Sequence, residues 1–530
     1  MKKHIFGIVL CIVSLLSSSC SSFLDQPIVG KEDFDTYFQN ADECEKELNG
    51  CYQSILWNGG WWQTQKFILV GDMCTDDMWM GNTTQDAGDY RDLAFYTGNT
   101  MSASNDCQNF WQFRYKGILR CNICIDNIPK ASVSDDSLKN QLVSEAKFIR
   151  AYLYFDLARN FGGVPIMLHL EMPTDVKGVT RASQSDVYAQ AEKDLLEAIP
   201  HLPLRSTQSS SDLGRVTKGA AEGLLAKVYL YDEKYQQAET YLKDVINSHE
   251  YSLLPNFGNV WAIKYNNSVE SLFEIQTNSD ITYNLGLHLP VTCGSRNDSG
   301  WAWGLPTSNL EKAFIDAGDS IRLKWTIIKD SATVVPGDPA WSASKPYRVK
   351  PNEHKSARCS RKIYIPVNER PTPYDSDKNP LNYRILRYAD ILLMYAEVEN
   401  DLGNDTQAQW AINQVRARVK LPAVTSTGKQ LRDAIRLERR LELALEDNRL
   451  YDLRRWKDDK GNPLIEDVMG PNGSFVKYNM ETSTDVYERT NQKENSNKGS
   501  AFTTPRDLLS PIPISEVTLS GGSITQNPGY

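Results

Sequence analysis

The chain has 530 residues, 41% of them hydrophobic and 24% charged, with a formal net charge of -9. That length supports a large buried core. An acidic chain with no basic arm or stripe does not suit a phosphate backbone, so nucleic acid is excluded as a partner.

Lys2 and Lys3, an apolar run from Ile5 to Leu16, and Ser17-Ser18-Ser19 lead into Cys20. These are the charged start, apolar middle and small-residue cleavage site of a secretory signal, too short for a membrane span. A cysteine at that point resembles a bacterial lipobox, with its leucine one place further upstream than the common pattern. Residues 1–19 are therefore expected to be a lipoprotein signal peptide and Cys20 the acylated first residue of the mature chain. Losing Lys2 and Lys3 takes the charge from -9 to about −11. No later apolar run is long enough to span a bilayer, so the acyl group is the expected membrane attachment.

Apolar residues at 3.6-residue spacing predict helices over 41–56, 106–129, 135–161, 183–199, 217–232, 234–248, 385–402, 406–419 and 428–447. Ser183 with Asp186 gives a capping start, Asp135 precedes the long third helix, and Gly162-Gly163 with Pro165 stops it. Residues 217–248 read as a hairpin. Ala221, Ala226 and Ala238 let its helices approach, while Leu225, Tyr229, Tyr235 and Leu242 fill between them, in the tetratricopeptide manner. Pairs at 135–199 and 385–419 look similar, and stacked pairs share one core.

Periodicity fades over about 57–101, 250–380 and 458–530. Short β-branched runs appear there at Ser271–Thr277, Thr326–Val335 and Lys362–Val367. The expected fold is mostly α, tetratricopeptide-like helical hairpins with long irregular excursions about 57–101 and 250–380 and minor β. Residues 20–530 are expected to form a single domain.

Of ten cysteines, Cys11 leaves with the signal and Cys20 carries lipid. Cys121 and Cys124 form a C-x-x-C, which suits redox chemistry or half a zinc site. No second Cys/His pair follows, and the pair falls on a helix, so buried thiols or a structural disulfide are expected. No metal or cofactor is expected; Asp76-Asp77 lacks calcium-loop spacing and reads as solvated or capping. In the 435–456 segment Glu438, Arg439, Glu442, Glu446 and Arg449 read as a solvated face with internal ion pairs.

Five segments then form a recognisable set: Cys20-Ser21-Ser22-Phe23-Leu24-Asp25 with Pro27; EAKFIRAYLYFDLARNFGGVPI at 145–166; NYRILRYADILLMYAEVEN at 382–400; IRLERRLELALEDNRLYDLRRW at 435–456; and LLSPIPISEV with ITQNPGY within 508–530. They run in order along the whole mature chain. With them the chain resembles the SusD/RagB family of outer-membrane nutrient-binding lipoproteins of Bacteroidetes polysaccharide-utilisation systems. The resemblance implies four tetratricopeptide-like units on a side that faces a SusC-like TonB-dependent outer-membrane transporter. It implies that the irregular excursions form a ligand face that captures a glycan or peptide and passes it to the transporter. The implied place is the cell surface, anchored through Cys20.

A sugar offers apolar C–H faces and a hydroxyl rim, so its site needs aromatic platforms and planar polar groups. Trp111, Trp410 and Trp456 lie in helical patterns and are expected in the core, while Trp261 and Trp325 are ambiguous. Trp57, Trp61, Trp62, Trp79, Trp301, Trp303 and Trp341 lie in the excursions. Trp61-Trp62 follows Gly59-Gly60, and Gly300 and Gly304 flank Trp301 and Trp303, where glycine lets the chain turn and project a ring. The candidate ligand-binding set is Trp61, Trp62, Trp79, Asn82, Tyr283, Arg296, Trp301, Trp303 and Trp341, with Asn297 and Asp298 beside it. No G-x-S-x-G, H-E-x-x-H, phosphate-loop or dinucleotide motif occurs, so a binder is expected and catalytic residues are not. The alternatives are a peptide-capturing member of the same family, a secreted glycoside hydrolase or a surface adhesin.

Overall fold

The computed structural model describes residues 37–56, 69–80, 88–97, 105–170, 178–280, 282, 285–349, 356–374, 379–478 and 498–530. Among these, the main helices are α1 (Ala41–Ile55), α2 (Asn105–Asn127), α3 (Asp136–Phe161), α4 (Gln184–Ala198), α5 (Lys218–Tyr231), α6 (Tyr235–Asn247), α7 (Leu289–Cys293), α8 (Tyr388–Asp401), α9 (Asp405–Arg418), α10 (Gly428–Glu442) and α11 (Arg449–Arg455). Three antiparallel two-stranded ladders join β1 (Met78–Trp79) to β3 (Leu305–Pro306), β2 (Ser271–Ile275) to β6 (Tyr383–Arg387), and β4 (Ile327–Lys329) to β5 (Arg358–Ser360).

The helices form where the expected start and stop signals lie. Ser183 and Asp186 close a full capping box on α4. The Asp135 carboxylate accepts from the Leu138 amide at 3.0 Å, and Gly162 leaves α3 at φ 73°, a left-handed turn that favours glycine. Helices pack as pairs, α1 on α2, α3 on α4, α5 on α6 and α8 on α9, with α6 bridging to α8 and α10 closing on α8. In the α5–α6 hairpin Ala221, Ala226, Ala238, Leu225 and Leu242 are fully buried, and Tyr229 stacks on Tyr241 with ring centroids 6.0 Å apart. The hairpins are the tetratricopeptide-style pairs read from the sequence.

One apolar cluster runs from Phe38 to Ile524, and a smaller one gathers Leu254, Phe257, Val260, Trp261 and Val419. Trp111 and Trp456 lie in the core as expected, and Trp261 joins the smaller cluster. Trp410 does not. It is 45% exposed on α9, where only an edge-on contact with Tyr395 of α8 covers its ring.

The charges of 435–456 are also placed differently from expectation. Glu438, Arg439, Glu442 and Glu446 are buried. Arg387, Arg418 and Arg322 converge on Glu442, while Glu446 pairs with Arg387 and Lys362. Arg439 bridges Asp390 and Asp452. Burial would raise the Glu442 carboxyl, but the surrounding Arg418, Arg387 and Arg322 guanidiniums outweigh it and hold Glu442 well below its ordinary value.

Candidate ligand face around Trp301 and Trp303

The site is built from the segment that follows α7. All five residues of α7 are buried, so the chain leaves it from a fixed floor. Residues 294–304 then fold back over that helix. The amides of Trp301, Ala302 and Trp303 donate to the carbonyls of Val291, Gly294 and Thr292, each at 2.8 Å, and the Gly300 amide donates to Ser295 at 2.8 Å. Backbone meets backbone here. A Cβ on Gly300 would lie 2.2 Å from the Gly294 carbonyl oxygen, so only glycine fits. Ser299 and Ala302 take left-handed backbone at φ 63° and 59°, a conformation costing about 1 kcal/mol or more that the amide clamps hold in place.

This fold-back presents Trp301 and Trp303 side by side, both half-buried, with ring centroids 5.3 Å apart and planes at 58°. Arg296 lies beside them, its Nε donating to the Trp301 carbonyl at 3.3 Å. Asp298, the one acid among residues 289–304, is held by Arg370 in a two-pronged pair at 2.7 and 2.6 Å. The Arg370 guanidinium in turn covers Tyr364 and Tyr374.

Trp341 stands one link further out. Its Nε1 donates to the Tyr364 hydroxyl at 2.7 Å and its ring meets Tyr347 edge-on at 5.0 Å, so it anchors the 332–347 loop while remaining half-buried. The chain Asp298–Arg370–Tyr364–Trp341 ties that loop to the Trp301 segment.

Trp79 is corrected from ligand contact to core. It is 1% exposed in β1, its ring 5.8 Å from Phe475, with the Lys498 ammonium 5.2 Å from its centroid. Lys498, itself fully buried, donates to the carbonyls of Thr75 and Met78. Sequence reasoning missed this lysine, which lies more than 400 positions from its partners in a segment with no helical period.

Asp76 and Asp77 are likewise buried rather than solvated. Asp77 accepts from Arg440 at 2.8 and 2.6 Å, and Asp76 from Arg449 at 3.0 and 3.1 Å. Burial pushes Asp76 up, yet the Arg440 and Arg449 charges prevail and hold it below its ordinary value. These pairs weld residues 71–77 to α10 and α11, while the Asp447 amide donates to Asp72 at 2.8 Å.

The welded strand is the second wall of the site. β1 pairs with β3 directly after Trp303, and the Gly304 amide donates to the Met80 carbonyl at 2.7 Å. A Cβ on Gly304 would also touch Leu69, so both described ends of the 69–80 segment meet at Gly304, the residue after Trp303. Trp61, Trp62, Asn82 and Tyr283, with Trp57 and Cys20, lie outside the described residues. Thus the structure brings together Arg296, Trp301 and Trp303, links Trp341 to them, and removes Trp79.

A family model described as the SusD family matches residues 258–530. The chain belongs to the SusD family. A second model, described as starch-binding and associating with the outer membrane, matches residues 37–230. A SusD-like protein of Formosa agariphila, P2, is 26% identical across the whole of both chains. A solved laminarin-binding SusD-like protein superposes with a TM-score of 0.74 at 26% identity, over 93% of this chain and 100% of that one. Surface glycan-binding protein A of Bacteroides fluxus shares the fold, with a TM-score of 0.72 at 22% identity over 92% of this chain and 99% of its own.

Proposed function

We propose that this chain is a surface-exposed, lipid-anchored glycan-binding protein that captures an oligo- or polysaccharide and delivers it to a SusC-like TonB-dependent outer-membrane transporter. The observation that carries the reading is the Trp301–Trp303 pair, two half-buried indoles fixed by four backbone hydrogen bonds on a glycine-clamped turn. A rigid aromatic pair receives sugar faces without first losing its own freedom. Each stacked sugar removes about 50 Å² of apolar surface, worth roughly 1 kcal/mol, so two platforms with a few hydroxyl contacts give about micromolar-to-millimolar binding. Weak capture suits a protein that must hand its cargo on.

Binding rather than hydrolysis is supported by Asp298, both of whose carboxylate oxygens are engaged by Arg370 instead of facing the tryptophan pair as a reacting group. The polysaccharide to try first is laminarin, because a solved SusD-like protein at 26% identity is named for binding it.

Affinity electrophoresis tests the reading. The mature chain without Cys20 is run through gels containing laminarin and a panel of other polysaccharides. Retardation by one of them is expected. Retardation by none, with binding of extended peptides instead, would turn the function to peptide capture.

A further inference from the structure

α1 and α2 cross closely. A Cβ on Gly117 would lie 2.7 Å from the Ser54 hydroxyl oxygen and 3.1 Å from the Ser54 Cβ, so the glycine lets the two helices close up. From that crossing Cys121 and Cys124 follow along α2, while Cys51 and then Cys44 lie back along α1. The antiparallel run interleaves their sulfurs. The Cys51 thiol interacts with both Cys121 and Cys124, while Cys44 is linked to Cys124 only through its charge. All four are buried. The closest pair spans the two helices, with Cys51 Sγ 3.5 Å from Cys124 Sγ. Cys44 and Cys51, two helical turns apart at about 10 Å, cannot pair with each other.

We propose that Cys51 and Cys124 are a disulfide site that staples α1, the first long described helix after the expected anchor, to α2. The oxidant is a protein disulfide of the export compartment, and in this respect the proposal rests on the export reading above. The Cys51 thiolate attacks one sulfur of that disulfide and expels the other as a thiolate, leaving a mixed disulfide. The Cys124 thiolate then attacks the Cys51 sulfur, forms the Sγ–Sγ bond and releases the second thiol. Two electrons pass to the oxidant, and the protons lost by Cys51 and Cys124 end on its two thiols.

Closing the gap from contact to bond needs about 1.5 Å of sulfur movement, within reach of a χ1 adjustment. Burial, and then hydrogen bonding with Cys121 and Cys124, pushes the Cys51 thiol well above its ordinary value. A protonated, enclosed thiol reacts slowly, so the bond forms before α1 docks and is shielded afterwards.

The test is mass spectrometry of the full chain from cells that export it, acid-quenched, alkylated while denatured and digested without reductant. The expected product is one peptide pair joining Cys51 to Cys124, about 2 Da lighter than its two thiol peptides together and lost on reduction. It persists in Cys121→Ser and disappears in Cys51→Ser and Cys124→Ser. The chain retained in the cytosol and purified reduced is treated in parallel with oxidised glutathione, and is expected to gain the same link faster in mild urea than in buffer. A link found only in this purified chain keeps the site and overturns the export step. Alkylated Cys51 and Cys124 in both preparations, or a bond within Cys121–Cys124 instead, overturns the assignment.

Discussion

At the scale of single residues, the site depends on close approaches that leave no slack. In Gly300→Ala the new methyl must enter the space of the Gly294 carbonyl, 2.2 Å away, so the fold-back over α7 opens. Glycan affinity is expected to fall about tenfold, corresponding to about 1.4 kcal/mol, with the melting temperature little changed; titration and thermal melting check both. Lys498→Met tests the opposite wall. It strips the donors from the Thr75 and Met78 carbonyls and the cation from Trp79, and is expected to destabilise by about 2–4 kcal/mol in urea unfolding. An unchanged midpoint would mean that the buried ammonium does not hold β1 in place.

At the level of elements, α10 carries a dense set of buried ion pairs through Glu438, Arg439 and Glu442. Glu442→Leu leaves Arg387, Arg418 and Arg322 without their shared acid, and a loss of about 3–5 kcal/mol is expected by denaturant unfolding. The helical pairs were legible in the sequence because a 3.6-residue stripe and its caps are local signals, as at Ser183 and Gly162. The burial of α10 was not. Spacing puts Glu438, Glu442 and Glu446 on one side of a helix expected to run to 447. But α10 ends at Glu442, Glu446 lies in the turn after it, and the partners Arg322, Lys362, Arg387 and Arg418 come from other segments. The same limit hid the fate of Trp79: alternation in a two-residue strand is no pattern, and its cover, Phe475 and Lys498, arrives from the far end of the chain. Trp301 and Trp303 could be singled out because Gly300 and Gly304 are neighbours in sequence as well as in space.

At the scale of the whole molecule, opposed groups of buried carboxyls set the response to pH. Burial raises Asp447 and Glu222 to about 7, above ordinary values of 3.8 and 4.5. A raised folded value means the native state binds the proton more tightly, so these groups erode stability as pH rises from about 4 to 7. Asp156, Asp390 and Glu442 are instead held low, against the pull of burial, by adjacent cations. Their contribution is present above the ordinary carboxyl range and drains away as pH falls below about 4. Melting temperature is therefore expected to peak near pH 4–5 and decline toward pH 8. A profile rising steadily to pH 8 would contradict this assignment of charges.

In the proposed function, the 291–304 fold-back offers Trp301 and Trp303 to a sugar. Isothermal titration of an oligosaccharide from the retained polysaccharide into wild type, Trp301→Ala and Trp303→Ala tests it most directly. Micromolar-to-millimolar binding is expected that weakens about tenfold or more in each variant while the fold and melting temperature persist. Wild-type affinity in both variants would contradict it and move the site elsewhere on the molecule.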